Sequence, residues 1–181
     1  MSVSSDSTAL ELTTGETEFT LTRLFDAPRD LVWAALTEAG HIKQWWGPRG
    51  ITIPRAEVDL RVGGTQLIVM KAPEVEPHNG REFAQSGHFL VVEPTSKLVY
   101  QFDWNEELRA MIKKAHYAPG VEPGHPPVVT ILLEDRGAQT LASLTVTYEF
   151  TADRDVAMKS GTLDGWKGSL EKLADYLATL Q

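Results

Sequence analysis

The C-terminal segment carries the pattern that most constrains the fold of this chain. Between about Asp153 and Leu180, apolar residues recur at steps of three and four, which is the spacing of one face of a helix. These residues are Leu163, Trp166, Leu170, Leu173, Leu177 and Leu180. The pattern predicts one long C-terminal helix whose apolar face packs against the rest of the protein.

Three glycines interrupt the same segment, and each should cost the helix about 1 kcal/mol relative to alanine. Gly161, Gly165 and Gly168 are spaced by four and three residues and therefore share a helix face. This cost favours either a close approach of the helix to the sheet or room for a cavity. A helix that starts poorly near Gly161 is the alternative interpretation.

The residues before this helix have strand patterns. From Glu18 to Leu24 polar and apolar residues alternate, which predicts a strand with one solvated face. Asp26-Ala27-Pro28 ends that strand and begins two short helices, and six further strand patterns follow, without any parallel βαβ crossover. The sequence predicts an α+β fold, in which a curved antiparallel sheet of about seven strands surrounds the C-terminal helix.

Two segments do not fit this regular order. Residues 1–16 are rich in Ser, Thr and Glu and predict a mobile N-terminal tail, which leaves residues 17–181 as a single domain. Residues 105–127 form an insertion with helical potential over 106–117, followed by several prolines and glycines. We interpret this insertion as a candidate lid.

Composition excludes several classes of function. The 25 acidic and 17 basic residues give a net charge of −8, which disfavours binding to nucleic acid and to anionic membranes. No apolar run approaches the roughly 18 to 20 residues that cross a bilayer. The chain has no cysteine, which excludes thiol chemistry and favours a cytoplasmic location. Its histidines form no pair at metal-ligand spacing, so we predict neither a metal site nor a cofactor.

Several short motifs occur in an order that resembles a known family. They are Phe25-Asp26-Ala27-Pro28, Val32-Trp33-Ala34-Ala35-Leu36, Trp45-Trp46-Gly47-Pro48, Asp59-Leu60-Arg61-Val62-Gly63-Gly64, Gly87-His88-Phe89 and Gly165-Trp166. The set is similar to the family named for the activator homologue of the heat shock protein 90 ATPase, in the START-like (SRPBCC, helix-grip) superfamily. The resemblance covers about Phe19 to the C-terminus and implies a START-like domain, two short helices after the first strand, and an interior pocket. The eukaryotic co-chaperone also has a separate chaperone-binding domain, which the short N-terminal segment here cannot replace.

Strand parity selects the candidate site residues, because alternate residues of a strand share a face. We place Ala84, Ser86, His88, Leu90 and Val92 on the inner face, together with Leu98, Tyr100, Phe102 and Trp104. The predicted ligand-binding residues are Trp45, Trp46, Met70, His88, Tyr100, Phe102, Trp104, Tyr148 and Trp166. A bulge between Gly87 and Val92 would exchange the two faces and move His88 to the surface.

His88 is the one titratable group on this predicted inner face, which makes it a candidate general acid or base. The alternative is a neutral histidine whose hydrogen bond is made by Tyr100 or water. Asp103 has the opposite parity to Tyr100 and should face outward, so no carboxylate is expected to orient His88.

The sequence leaves three functions open. The first is a binding module for a small apolar or aromatic molecule, and the second is an enzyme of the polyketide cyclase or dehydratase kind. The third is an interaction protein, such as a chaperone ATPase activator or a regulatory partner. The identity of the ligand, a protein partner and a homodimer are also left open.

Overall fold

The structure is a computed structural model that describes residues 9–75 and 79–181. Its strands are β1 (Glu11–Thr14), β2 (Glu18–Phe25), β3 (Thr52–Val58), β4 (Thr65–Lys71), β5 (Glu82–Glu93), β6 (Lys97–Asp103), β7 (Val128–Arg136) and β8 (Gln139–Thr147). Its helices are α1 (Arg29–Thr37), α2 (Ala39–Trp45), α3 (Glu106–His116), α4 (Thr151–Lys159) and α5 (Thr162–Ala178). Within this described part, no helix is long and apolar enough to cross a membrane.

The strands form one antiparallel sheet in the order β1-β2-β8-β7-β6-β5-β4-β3. Helices α1, α2 and α5 pack against one another, and α5 also contacts β2. The predicted α+β, helix-grip fold is therefore confirmed. The sheet has eight strands among the described residues rather than about seven.

The additional strand is β1, which lies inside the segment predicted to be a mobile tail. Glu11–Thr14 pairs with β2, with Leu12 opposite Leu21, so that prediction is wrong for these four residues. All four are exposed, which explains why they carry no alternating apolar pattern. The predicted tail over residues 1–8 lies outside the described residues.

The predicted long C-terminal helix is two helices, α4 and α5, separated at Gly161. Gly161 has φ of 85°, a left-handed conformation that glycine adopts at little cost. Leu163, Trp166, Leu170, Leu173 and Leu177 are buried, as their spacing predicts. Leu180 is 40% exposed because α5 ends at Ala178.

The other two glycines of α5 have different roles. A Cβ at Gly168 would lie 3.3 Å from Pro48 Cβ, so this glycine permits a close approach of α5 to the chain that follows α2. A Cβ at Gly165 would meet nothing within 4 Å. The predicted close approach to the sheet is therefore wrong, because Gly168 lies against the chain that follows α2, whereas Gly165 borders open space in a cleft beside Trp46.

Strand β5 contains the irregularity that changes the predicted inner face. Gly87 and Phe89 are buried, and the β5–β6 register shifts between Phe89 and Val91. Before the shift, Ala84, Ser86 and His88 therefore lie on the opposite face from the one predicted. Beyond it, Val92 packs against the core as predicted, because the extra residue, Leu90, restores the expected parity and is itself exposed.

Candidate functional site

A cavity of about 340 Å³ lies between the sheet, helix α3 and helix α4. Strands β4, β5 and β6 contribute Met70, Phe83 and Phe102 to its lining. Trp104 and Tyr148, which directly follow β6 and β8, also line it. Helix α3 contributes Leu108 and Ile112, which are one helical turn apart, and α4 contributes Val156 and Ala157. The interior of the cavity is therefore mostly apolar, with rings on its sheet side.

Helix α3 covers this cavity and belongs to the insertion predicted from sequence. The Asn105 side chain caps it by accepting a hydrogen bond from the Leu108 N–H at 2.7 Å. The Arg109 guanidinium holds the helix to the chain that follows, by donating to the carbonyls of Gly124, at 2.8 Å, and Pro123. None of the residues of α3 is fully buried. The hydrogen bonds named here therefore lie within the insertion, and the role of α3 as a lid stays a prediction.

A polar cluster lies at one side of the cavity, where the end of the insertion meets α4. Asp153 is only 4% exposed, and its Oδ1 accepts a hydrogen bond from the Tyr117 hydroxyl at 2.5 Å. The Gly124 N–H donates to the same carboxyl group, 3.2 Å from Oδ1 and 3.3 Å from Oδ2. The cluster connects the insertion to α4 across the wall of the cavity.

Tyr117 and Tyr148, two phenols that line the cavity, are held in their neutral form. Burial raises the pKa of Tyr117, and the hydrogen bond and negative charge of Asp153 raise it further, while Arg109 acts in the opposite direction. Burial also raises the pKa of Tyr148, with smaller contributions from Tyr117 and Asp153. Both hydroxyls therefore keep their protons at neutral pH and can donate hydrogen bonds.

The sequence analysis did not identify Asp153 or Tyr117 as site residues. Asp153 lies in the first turn of α4, where an acidic residue is ordinarily explained by the helix dipole. The two residues are 36 positions apart, and only the path of the insertion brings them together. The sequence feature that pointed to this part of the chain was the i, i+4 pair Leu108 and Ile112, which share one face of the helix in the insertion.

The predicted ligand-binding residues are divided among four places: the cavity, a neighbouring cleft, the core and the outer face of β5. Met70, Phe102, Trp104 and Tyr148 line the cavity. Trp46 and Trp166 line a neighbouring cleft of about 150 Å³, which shares Met70 with the cavity. The rings of Trp46 and Trp166 meet edge to face, with centroids 5.6 Å apart.

Trp45 and Tyr100 belong to the core, and neither lines the cavity, so the structure contradicts their predicted role. Trp45 is 1% exposed, and its indole N–H donates to the Ala35 carbonyl at 2.8 Å, which satisfies its one polar group. Tyr100 is also 1% exposed and lies between Phe89 and Phe102, at centroid distances of 6.3 and 5.5 Å. Its hydroxyl has Gln66 as a polar neighbour but makes no hydrogen bond of good geometry with the described residues, and burial raises its pKa.

His88 lies on the outer face of β5, so the prediction that it binds ligand or acts as an acid or base in the pocket is wrong. Its side chain is 38% exposed, and its Nδ1 lies 2.8 Å from Asp103 Oδ1. Asp103 faces outward as predicted, and the register shift in β5 places His88 on the same side. A buried His88 was expected to bond to Tyr100 or to water. In the structure its partner is the Asp103 carboxylate instead.

Within residues 9–75 and 79–181, no group of three or more His, Asp or Glu side chains is placed to hold a metal ion. His116 lines the mouth of the cavity, and His125 pairs with Glu149 at 2.7 Å outside it. His78 lies outside the described residues.

Comparison with known proteins identifies the family. The model of the family described as Activator of Hsp90 ATPase homolog 1-like protein matches residues 26–178. The chain belongs to this family. No protein of curated function matches the sequence significantly.

Solved structures of similar fold come from several bacteria. A protein from Nitrosomonas europaea is 25% identical, with 92% of this chain and 97% of that chain covered and a TM-score of 0.73. A protein from Rhodobacter sphaeroides is 21% identical, with coverage of 96% and 100% and a TM-score of 0.75. CalU16 from Micromonospora echinospora is 22% identical, with coverage of 93% and 83% and a TM-score of 0.55. The latter two show the fold that this member of the activator homologue family shares with them.

Proposed function

We propose that this protein binds a small apolar or aromatic molecule in the cavity beneath helix α3. The cavity itself carries the proposal. Its volume of about 340 Å³ falls at the lower end of the roughly 300–1,000 Å³ found for ligand pockets. Because an apolar cavity of about 150 Å³ accommodates benzene, a molecule of one or two fused rings suits this one.

The residues that line the cavity favour an aromatic ligand in particular. Phe102, Trp104 and Tyr148 offer rings on the sheet side, while Met70 offers an adaptable thioether that makes favourable contacts with rings. The cleft beside Trp46 and Trp166 would accept a substituent that extends beyond the main cavity. In this proposal, residues 17–181 act as one START-like domain, in the cytoplasmic location predicted from composition.

Filling the cavity is expected to abolish binding. In Val156→Phe, a half-buried valine of the lining gains a ring that occupies the space of the ligand. We expect the affinity for 2-methylnaphthalene, measured by tryptophan fluorescence and by ligand-induced thermal stabilisation, to fall at least about tenfold, or about 1.4 kcal/mol.

Val91→Phe is the matched control for this variant. Val91 is also half-buried, but it pairs with Val99 in the β5–β6 register and does not line the cavity. This control should bind 2-methylnaphthalene as the unmodified protein does. Failure of the unmodified protein to bind, or an equal loss in both variants, would contradict the proposal.

A further inference from the structure

Asp153 is a carboxyl group built into the wall of an apolar cavity. A charged group at 4% exposure is costly unless hydrogen bonds replace its water. Asp153 receives hydrogen bonds from the Tyr117 hydroxyl and from the Gly124 N–H. A carboxylate has room for about four donors, so the site retains acceptor capacity toward the cavity.

Gly124 fixes the position of this carboxyl group. A Cβ on residue 124 would lie 2.5 Å from Asp153 Oδ2 and 2.9 Å from the Cβ of Glu149. Only glycine therefore lets the backbone come near enough for its N–H to donate to Asp153. The acceptor is held in place before any ligand arrives, which is the condition for a selective hydrogen bond.

Tyr117 differs from Gly124 because it contacts Asp153 through its side chain, whereas Gly124 does so through its backbone. Tyr117 directly follows helix α3, which covers the cavity and has no fully buried residue. Its side chain presents a neutral phenol to Asp153 at the edge of the cavity. The phenol of Tyr117, a hydroxylated aromatic ring, is therefore the donor that the chain itself supplies to Asp153.

We propose that the cavity selects apolar ring compounds that carry a neutral hydroxyl group, and that this hydroxyl replaces Tyr117 as the donor to Asp153. The inference rests on the proposed binding function and adds the class of ligand to it. The released Tyr117 side chain gives up its bond to α4, while the Gly124 N–H keeps the insertion attached to Asp153. The Tyr148 hydroxyl, which makes no hydrogen bond with the described residues, is a second polar group of the cavity lining.

A neutral donor suits the site better than a cation. Arg109 already places a positive charge close enough to lower the pKa of Tyr117 against the effect of Asp153. Its guanidinium is fixed by the carbonyls of Pro123 and Gly124. An ammonium group brought to Asp153 would meet this charge, whereas a hydroxyl would not.

Two probes of the same shape test the inference. 2-Naphthol and 2-methylnaphthalene differ by a hydroxyl against a methyl group, and isothermal titration calorimetry gives the affinity of each for the full chain. We expect 2-naphthol to bind more tightly, but by less than the roughly tenfold that an added hydrogen bond to a charged group supplies, because its bond to Asp153 replaces the one from Tyr117. A protonated 2-naphthylmethylamine should bind more weakly than 2-naphthol.

Two substitutions test whether the difference in affinity between the two probes depends on Asp153 and Tyr117. Asp153→Asn should remove this difference by weakening 2-naphthol, and should leave 2-methylnaphthalene within about twofold. Tyr117→Phe removes the competing internal phenol and should strengthen 2-naphthol several-fold. Tyr176→Phe is the matched control, because this tyrosine bonds to His41 at 2.6 Å and lies outside the cavity. If Asp153→Asn does not fold, the affinity of Tyr117→Phe for 2-naphthol alone decides whether the ligand hydroxyl replaces Tyr117.

The outcomes separate the inference from the proposed function. Binding of neither probe overturns both. Equal affinities for the two probes overturn the inference and leave the proposed function intact. A preference for 2-naphthol that is unchanged in Asp153→Asn, or tighter binding of the ammonium compound, also overturns the inference.

Discussion

Replacement of Trp45 by alanine is expected to lower the free energy of unfolding by about 3–5 kcal/mol, the usual range for a large buried aromatic residue. The side chain is 1% exposed, its N–H is bonded to Ala35, and its ring lies 5.2 Å from that of Trp46. Alanine leaves most of this space unfilled, so the variant loses both the burial and the contacts of the indole ring. Chemical denaturation with and without the substitution measures the difference.

Trp104→Ala is the matched control, because Trp104 is half-buried and lines the cavity. We expect this variant to lose much less stability and to bind 2-methylnaphthalene more weakly. The reverse pattern, with stability kept and binding lost in Trp45→Ala, would restore Trp45 as a ligand-binding residue and contradict its placement in the core.

Gly87→Ala is expected to destabilise the protein by about 1–3 kcal/mol, as overpacking of a closely packed site does. A Cβ at this position would lie 2.6 Å from the Gln101 carbonyl oxygen and 3.5 Å from the Phe102 Cα. Both contacts are with the backbone of β6, which cannot turn aside as a flexible side chain can. The change in the denaturation midpoint at constant slope measures the effect.

His88→Ala provides the comparison for Gly87→Ala on the adjacent residue. The His88 side chain is 38% exposed and its pair with Asp103 lies at the surface, where such pairs contribute about 0–1 kcal/mol. We therefore expect a small loss of stability and unchanged binding of 2-methylnaphthalene. A larger effect at His88 than at Gly87 would mean that the faces of β5 are exchanged.

Regular elements were predictable because their burial repeats without interruption. Val129, Ile131 and Leu133 on β7, with Leu144 and Val146 on β8, alternate with less buried residues and are all buried. The same holds for the apolar face of α5. In these elements one pattern of apolar residues corresponds to one face, so the sequence alone is sufficient to predict which face is buried.

The errors occur where one residue changes the geometry of an element. A single extra residue near Leu90 reverses the faces of β5, which moves His88 outward, and sequence cannot locate such a bulge. Trp45 and Trp46 are both buried, but of the two only Trp46 lines the cleft, and nothing in the sequence decides which of the adjacent rings does so. The Asp153–Tyr117 contact depends on the path of a long insertion, which local patterns do not encode.

The most direct test of the central claim is to locate a bound probe by isotope-filtered nuclear Overhauser effects between unlabelled 2-methylnaphthalene and the ¹³C-labelled protein. The claim predicts contacts to the methyl groups of Met70, Ile112 and Val156, which lie on three different sides of one cavity. Contacts confined to exposed apolar residues such as Leu132 and Phe150 would contradict it, because these side chains lie outside that cavity.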